Sequence, residues 1–308
     1  MQPTHSYTMR RLRRMVSVAV TATAALGGTV LAAYFGALGG GTMTTENAAV
    51  RDDVVVSGIG SRVDAIWDAG RERGNSAHTF AVIGDSISAD GRFLRPIAAG
   101  EMILGEYGNL QDTVTYFAGP DGRGANPFSV PSVAARGGWM TETVLNPANA
   151  DAGFCQQGET PLSCELRLAQ PAVALIMLGT NDLWGARTLD TYRANLETIV
   201  QTCINAGTIP VLSTIPPLTQ TEGGNARVPE FNAVVIDIAR QYEVPLWNYW
   251  LALQDLPDYG LSADHIHPNS PPDGQSTTFD ADHLQYGMTV RNLTALQMLD
   301  ALRRDVLN

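Results

Sequence analysis

The sequence alternates short apolar runs with segments of helical periodicity. Its most apolar run, Ala172 to Leu178, contains no polar residue and ends at Gly179, as expected for a central strand covered on both faces. A shorter run, Thr79 to Ile83, precedes it, and Pro210 to Ile215 and Val244 to Trp247 follow it. This alternation predicts an α/β protein with three layers, helix, sheet and helix, built on a mostly parallel sheet of about five strands.

The remaining elements complete this pattern. A further strand is predicted over Thr113 to Phe117. Helices are predicted over Glu230 to Tyr242 and where apolar residues recur between Leu189 and Cys203. Open α/β folds place their sites at the carboxyl edge of the sheet, which makes the loops there the expected site region. Three stretches rich in Gly, Pro and polar residues are predicted at that edge: Gly119 to Gly138, Pro216 to Pro229 and Pro268 to Asp282.

The N-terminus, residues 1–41, is predicted to be a signal or membrane-anchor segment. The basic block from Arg10 to Arg14 is followed by no charged residue until Glu46, and Val16 to Leu38 is mostly apolar. As a helix this stretch would measure about 35 Å, enough to cross a bilayer. Its length favours an uncleaved anchor, whereas Ala37-Leu38-Gly39 offers a cleavage site, so an anchored and a secreted protein both remain open. Either way, the rest of the chain is expected outside the cytoplasm.

Charge and cysteine content narrow the function classes further. The 308 residues carry a net charge of −11, which would repel a phosphate backbone, so we expect no nucleic-acid partner. Cys155 and Cys164 bracket a short polar loop and are predicted to form a disulfide in an oxidising compartment. Cys203 is expected to be a buried thiol. No cysteine array suggests a metal, and we expect no metal or cofactor.

The segment Gly84-Asp85-Ser86-Ile87-Ser88 directly follows a predicted strand. A serine at a sharp strand-to-helix turn exposes its Oγ and leaves its backbone N–H free, as a nucleophile and an oxyanion donor require. Taken alone, the segment is more typical of a helix cap than of a catalyst. Asp85 is expected to stabilise the loop through hydrogen bonds.

Two further segments could donate hydrogen bonds to an oxyanion. In Arg136-Gly137-Gly138-Trp139, a glycine lets the backbone approach a ligand. In Gly179-Thr180-Asn181-Asp182, which follows the central strand, an asparagine amide can do the same, although an Asx turn explains the residue equally well. Asp182 is expected to hold loop geometry.

The fourth segment, Asp264-His265-Ile266-His267-Pro268, lies near the C-terminus. An Asp three residues before a His can accept from Nδ1–H and leave Nε2 free as a general base. A metal site at His265 and His267 is the competing interpretation, but it lacks the third and fourth donors that metal sites normally need. A second pairing of this kind, His283 with Asp280, is better explained as acids at a helix start.

Together these four segments resemble the conserved blocks of the SGNH hydrolase superfamily, the GDSL esterases and lipases, over residues 78–308. The sequence departs from the family at Ile87, where Leu is usual, at Trp139, where a small or polar residue is usual, and in the long loop after His267. The resemblance implies a flavodoxin-like fold and assigns the roles as follows: Ser86 as nucleophile, Asp264 and His267 as its triad partners, and Ser86, Gly138 (or alternatively Gly137) and Asn181 as the oxyanion hole.

The resemblance implies acyl transfer through a serine ester, without a cofactor, on a small-molecule or polysaccharide ester such as an acylated carbohydrate or a lipid. Two alternatives remain: a cell-envelope O-acyltransferase that uses the same triad, and a non-catalytic surface binding module. Trp139 and Trp184 flank the expected oxyanion donors and are candidates for a substrate rim, although simple packing explains them equally well.

The chain is thus divided into three parts. Residues 1–41 form the signal or anchor segment. Residues 42–76 are a tether with a short helix around Val63, Ile66 and Trp67. Residues 77–308 form the SGNH hydrolase catalytic domain.

Overall fold

Strands and helices alternate along residues 48–308, the part of the chain that this computed structural model describes. Five strands form one sheet: β1 Val56–Ser57, β2 Ser76–Gly84, β3 Pro171–Met177, β4 Ile209–Ser213 and β5 Leu246–Trp247. Their order is β1-β5-β4-β3-β2; strands β2 to β5 run parallel, and β1 pairs antiparallel with β5. The predicted α/β fold with a mostly parallel five-stranded sheet is confirmed.

Helices cover both faces of this sheet. They are α1 Ser61–Glu72, α2 Ser86–Ala89, α3 Arg95–Ala98, α4 Gln111–Phe117, α5 Thr141–Val144, α6 Pro161–Ala169, α7 Thr180–Trp184, α8 Leu189–Asn205, α9 Glu222–Tyr242, α10 Tyr249–Ala252 and α11 Gly287–Leu302. Helices α4 and α11 pack together, and α1 joins them through the C-terminal turn Arg303–Leu307. Helices α5, α6, α8 and α9 form a second set. Two helix sets around one sheet give the three layers.

The core is most complete at β3 and α11. All residues of β3 are buried, which explains its uninterrupted apolar sequence. Every residue of α11 is buried as well, including polar ones such as Asn292, whose side chain accepts from the Leu94 N–H and donates to the Ser276 carbonyl. A buried polar residue needs such partners, so α11 is fixed by hydrogen bonds as well as by packing.

The predicted strand over Thr113 to Phe117 is wrong, since this segment is the helix α4. Its buried residues Thr113, Val114 and Phe117 lie on one helical face, and the Thr113 hydroxyl donates to Asp300 of α11 at 2.6 Å. Packing against α11 therefore overrides the strand preference of β-branched and aromatic residues.

Two segments are more ordered than the sequence predicts. Helix α9 begins at Glu222 rather than Glu230, because the Thr221 side chain caps it by accepting from the Gly224 N–H. Pro229, predicted to end a loop, lies inside this helix. Within residues 42–76, strand β1 was not predicted and pairs with β5 of the sheet, whereas the short helix predicted around Val63, Ile66 and Trp67 is present as α1.

The disulfide between Cys155 and Cys164 is present, with the Cα atoms 5.3 Å apart. Cys203 is a free, fully buried thiol, and burial raises its pKa to about 12, so it is unsuited to nucleophilic chemistry. The predicted anchor over residues 16–38 lies outside the described residues. Along residues 48–308, no helix has both the length and the apolarity that crossing a membrane requires.

Candidate active site

Ser86 lies at the carboxyl edge of the sheet, where β2 ends beside β3. Gly84 pairs with Met177, the last residue of β3, and Ser86 is the first residue of α2. Asp85 caps this short helix by accepting from the Ile87 N–H at 3.0 Å. The backbone N–H of Ser86 has no acceptor within residues 48–308, so it is available to a ligand.

The turn at Ser86 requires glycine at position 84. A Cβ there would lie 2.2 Å from Ser88 Oγ and 2.7 Å from the Met177 carbonyl oxygen. Neither distance is compatible with van der Waals contact, so a larger residue would force the turn away from β3. Glycine therefore allows Ser86 to sit close to the end of the central strand.

His267 and Asp264 extend from Ser86 in a line of hydrogen bonds. His267 Nε2 lies 2.7 Å from Ser86 Oγ, and His267 Nδ1 lies 2.6 Å from Asp264 Oδ2. The other carboxylate oxygen accepts from the backbone N–H groups of Ile266 and His267 and from the Ser262 hydroxyl, at 2.9, 3.0 and 2.8 Å. An ionised Asp264 next to Nδ1 keeps the proton on that nitrogen and leaves Nε2 as the acceptor.

These contacts keep Asp264 charged. Partial burial raises the pKa of Asp264, but the hydrogen bonds from His267, Ile266 and Ser262 outweigh it and hold that pKa well below its ordinary value. The carboxylate is therefore ionised throughout the neutral range, as stabilisation of an imidazolium requires.

Behind Ser86 lie two buried groups of opposite charge, Asp85 and Arg291, that interact without a direct ion pair, and the sequence did not suggest their proximity. Burial raises the pKa of Asp85 to about 6, although the Ile87 N–H and the positive charge of Arg291 oppose this. Arg291 of α11 is itself buried, which lowers its pKa to about 10. Its guanidinium donates to Ser88 Oγ at 3.0 Å. Arg291 thus links α11 to the turn that carries the serine.

Aromatic rings surround this arginine. Its guanidinium carbon lies 4.2 Å from the ring centre of Phe93 and 5.5 Å from those of Trp247 and Tyr249. Such stacking offsets part of the cost of burying a cation. The only sequence signal was a single arginine in an otherwise uncharged helical stretch, Met288 to Leu299.

The segment Arg136 to Trp139, called the glycine loop below, is hydrogen-bonded together with the residues before it to the end of β2. The Gly84 N–H donates to the Ala134 carbonyl and the Arg136 N–H donates to the Gly84 carbonyl, at 3.1 and 3.2 Å. A Cβ on Gly137 would lie 3.8 Å from Ser86 Cβ, and Gly138 has a φ of +78°, which favours glycine. Neither glycine N–H donates to an acceptor in the described part of the chain, so both remain candidates for the second oxyanion donor.

Asn181 approaches the glycine loop from the end of β3. It is half-buried in α7, and its Nδ2 donates to the Trp139 carbonyl at 3.1 Å. The next residue, Asp182, is fully buried and accepts from both the N–H and the hydroxyl of Thr141. These bonds tie α7 to the loop, so Asp182 holds loop geometry as predicted.

The two candidate rim tryptophans differ in exposure. Trp139 is 7% exposed, and the guanidinium of Arg136 lies over its ring, 5.6 Å from the centre. Trp184, at the end of α7, is 55% exposed. Trp139 therefore packs beneath the loop, whereas Trp184 presents an open aromatic face near Asn181.

His283 forms a second Asp–His arrangement. Its Nδ1 lies 2.7 Å from Asp280 Oδ1, and its Nε2 lies 3.1 Å from Asp273 Oδ2, a partner that sequence spacing did not suggest. Asp280 and Asp273 accept hydrogen bonds from the ring of His283, and these bonds raise the pKa of His283. This histidine is held between carboxylates and has no hydroxyl partner among the residues described.

The residues that could hold a metal are already engaged with other partners. The sole ligand-like cluster along residues 48–308 comprises Cys155, Glu159 and Cys164, but the two sulfurs form the disulfide and Glu159 pairs with Arg167. Both ring nitrogens of His267 are occupied by Ser86 and Asp264.

Comparison with known proteins shows the family of this chain. The model of the GDSL-like lipase/acylhydrolase family matches residues 82–271. The chain therefore belongs to this family, and the resemblance found in the sequence is confirmed.

Individual relatives are more distant. Thioesterase 1/protease 1/lysophospholipase L1 of Escherichia coli K12 is 29% identical over 132 residues, which cover 42% of this chain and 62% of the relative, so the chain spans less than two thirds of that protein's length. An acetylxylan esterase from Geobacillus stearothermophilus is 16% identical, with a TM-score of 0.45 over 73% of this chain and 95% of that one. A GDSL-like lipase from Bacteroides thetaiotaomicron is 13% identical, with a TM-score of 0.44 over 77% and 98%.

Proposed function

We propose that this protein is a serine esterase that hydrolyses carboxylic esters through Ser86, His267 and Asp264. The observation that carries the proposal is the continuous line of hydrogen bonds from Asp264 through His267 to Ser86, with distances of 2.6 and 2.7 Å. Nucleophile and base lie within proton-transfer distance, and the base is oriented by a carboxylate.

In the proposed reaction, Ser86 Oγ attacks the ester carbonyl while His267 Nε2 takes the hydroxyl proton. Asp264 stabilises the imidazolium that forms. The tetrahedral intermediate collapses, His267 returns the proton to the leaving alcohol, and the acyl group remains on Ser86. Water then attacks the acyl-enzyme with His267 again as base, and the carboxylic acid leaves.

The negative charge on the carbonyl oxygen needs preorganised donors. We assign this role to the free N–H of Ser86, to the N–H of Gly138 or Gly137, and to the amide of Asn181, whose Nδ2 also donates to the Trp139 carbonyl. Removing one such donor costs about 10²- to 10³-fold in kcat, and we expect this loss for Asn181→Ala.

The substrate we propose is an ester of a small-molecule or polysaccharide alcohol, such as an acylated carbohydrate, or a lipid. Ser86 is half-buried, whereas Gly137 and Gly138 are exposed, so the alcohol part of a substrate can extend into solvent. The open face of Trp184 offers apolar contact to a sugar ring or an acyl chain.

We further propose that this domain lies outside the cytoplasm, either anchored by residues 16–38 or released by cleavage. The arginine block and the uncharged stretch after it support this, and the Cys155–Cys164 disulfide suits an oxidising compartment. Alkaline phosphatase is active only after export. When alkaline phosphatase is fused after residue 47 of this chain, we expect the fusion to be active. An inactive fusion would contradict the export proposal.

The activity is tested on the full chain with p-nitrophenyl esters from acetate to palmitate. Wild-type protein and a Ser129→Ala variant, which alters an exposed serine, should hydrolyse at least one ester, and Ser86→Ala should hydrolyse none. Equal turnover by folded Ser86→Ala, or no turnover by folded wild type, would contradict the proposal. Acylation of an added glycan in place of acid release would identify an O-acyltransferase.

A further inference from the structure

Arg136 places an exposed positive charge directly beside the candidate oxyanion hole. Its backbone N–H is bonded to Gly84, and the next residue, Gly137, approaches Ser86. The side chain is exposed, donates no hydrogen bond and has no carboxylate partner along the chain from residue 48 onward. Other exposed arginines, such as Arg71 and Arg240, do form ion pairs.

The guanidinium of Arg136 has an aromatic contact in place of an ionic partner. It lies over the ring of the buried Trp139, whose carbonyl accepts from Asn181 and whose N–H donates to the Arg136 carbonyl. Stacking covers one face of a guanidinium and leaves the N–H groups at its edge free. Those groups can donate a bidentate pair of hydrogen bonds to a carboxylate or a phosphate.

The net negative charge of the whole chain makes an unpaired cation beside Ser86 important for binding anionic groups. A chain with a net charge of −11 repels anionic substrates at long range. A substrate with an anionic group would bind only where a local cation offsets that repulsion. Arg136 supplies such a cation next to the reacting serine.

We propose that Arg136 is a specificity-determining residue that binds an anionic group, a carboxylate or a phosphate, on the alcohol part of the ester. The proposal rests on the proposed esterase function and names a substrate class for it: esters whose alcohol is negatively charged. Asn181 and Trp139 set the position of the guanidinium relative to Ser86.

The test uses acetate esters that differ in one charge. The full chain is assayed with 3- and 4-acetoxybenzoate and with their neutral counterparts, 3- and 4-acetoxybenzamide. Each variant is described by the ratio of kcat/KM for the anionic ester to that for the neutral one. Comparing this ratio between variants cancels the intrinsic reactivity of the two esters.

For Arg136→Gln, which keeps a planar amide over Trp139, we expect this ratio to fall about tenfold, the effect of losing one charge-assisted hydrogen bond. Arg136→Lys should retain part of the preference because it keeps the charge. The wild-type ratio should also fall toward that of Arg136→Gln at 0.5 M NaCl, since salt screens exposed charges.

Arg62→Gln is the matched control, because it removes an exposed arginine on α1 and changes the net charge equally. It should leave the ratio unchanged. An unchanged ratio for Arg136→Gln with both isomers, or an equal fall for Arg62→Gln, would overturn the proposal. Failure of folded wild type to hydrolyse the neutral esters and every p-nitrophenyl ester from acetate to palmitate would instead overturn the esterase function.

Discussion

The chain contains Asp-x-x-His twice, and the two copies have the same local geometry. In Asp264 and His267 the carboxylate lies 2.6 Å from Nδ1, and in Asp280 and His283 it lies 2.7 Å from Nδ1. In both copies the aspartate also accepts from the backbone N–H of the histidine, at 3.0 and 2.9 Å. The spacing alone therefore produces an oriented imidazole.

The two copies differ at the other ring nitrogen. Nε2 of His267 faces Ser86 Oγ, whereas Nε2 of His283 faces the carboxylate of Asp273. A hydroxyl partner can give up a proton, while a second carboxylate stabilises the imidazolium and raises the pKa of His283. The motif orients the ring, and the group that Nε2 meets determines what the ring can do.

The largest expected effect separates the two histidines by activity. His267→Ala should lower kcat/KM for the best p-nitrophenyl ester by about 10⁴-fold or more, because the serine loses its base. His283→Ala should change it by no more than about twofold, since His283 contacts no group in the proposed reaction. A loss of similar size in His283→Ala would show that the two copies share a role.

The aspartates extend the comparison. Asp264→Asn should lower kcat by up to about 10⁴-fold, because an amide next to Nδ1 favours the wrong tautomer of His267. Asp280→Asn should leave kcat near the wild-type value. Circular dichroism provides the control for folding, and equal kcat values for the two variants would contradict the assigned roles.

The variant Arg291→Met tests whether the buried arginine stabilises the turn that places Ser86 next to His267. Arg291→Met should lower the free energy of unfolding by about 1–3 kcal/mol, because the buried Ser88 Oγ loses the guanidinium that donates to it. The exposed ion pair of Arg193 with Asp237 is the control, and Arg193→Gln should cost about 0.5 kcal/mol. Urea denaturation measures the free energy of unfolding of both variants. Equal losses of stability in the two would show that Arg291 does not stabilise the serine turn.

The smallest expected effect is a pH dependence specific to His283. Its pKa is raised above the ordinary value of 6.5, so its stabilising effect is complete below about pH 6.5 and is lost as the pH rises through the folded-state pKa. The melting temperature of wild type should therefore exceed that of His283→Gln at pH 6 and approach it at alkaline pH. A difference that is constant with pH would contradict this account.

The sequence predicted which residues of the candidate site lie close together better than it predicted the boundaries of elements. Ser86 and Asn181 follow apolar strands, and parallel strands bring their carboxyl ends to one edge, so their proximity followed from strand order. The contact between His267 and Asp264 followed from their spacing. Thr113 to Phe117 was predicted wrongly because its burial depends on α11, which is distant in sequence.

The residues that hold the serine turn and His283 in place could not be predicted from the sequence, because they too are distant along the chain. Arg291 reaches Ser88 across about 200 residues of sequence, and Asp273 reaches His283 from within a loop without periodicity. Such partners are determined by tertiary packing, and no local pattern encodes them. Only the presence of a single arginine in the otherwise uncharged stretch Met288 to Leu299 indicated the contact made by Arg291.

The most direct test of the central claim is covalent labelling of the full chain with a fluorophosphonate, followed by mass-spectrometric mapping of the adduct. We expect a single adduct on Ser86, none on the neighbouring Ser88, and a strongly reduced labelling rate in His267→Ala but not in His283→Ala. A modified Ser88, or no adduct on folded wild-type protein, would contradict it.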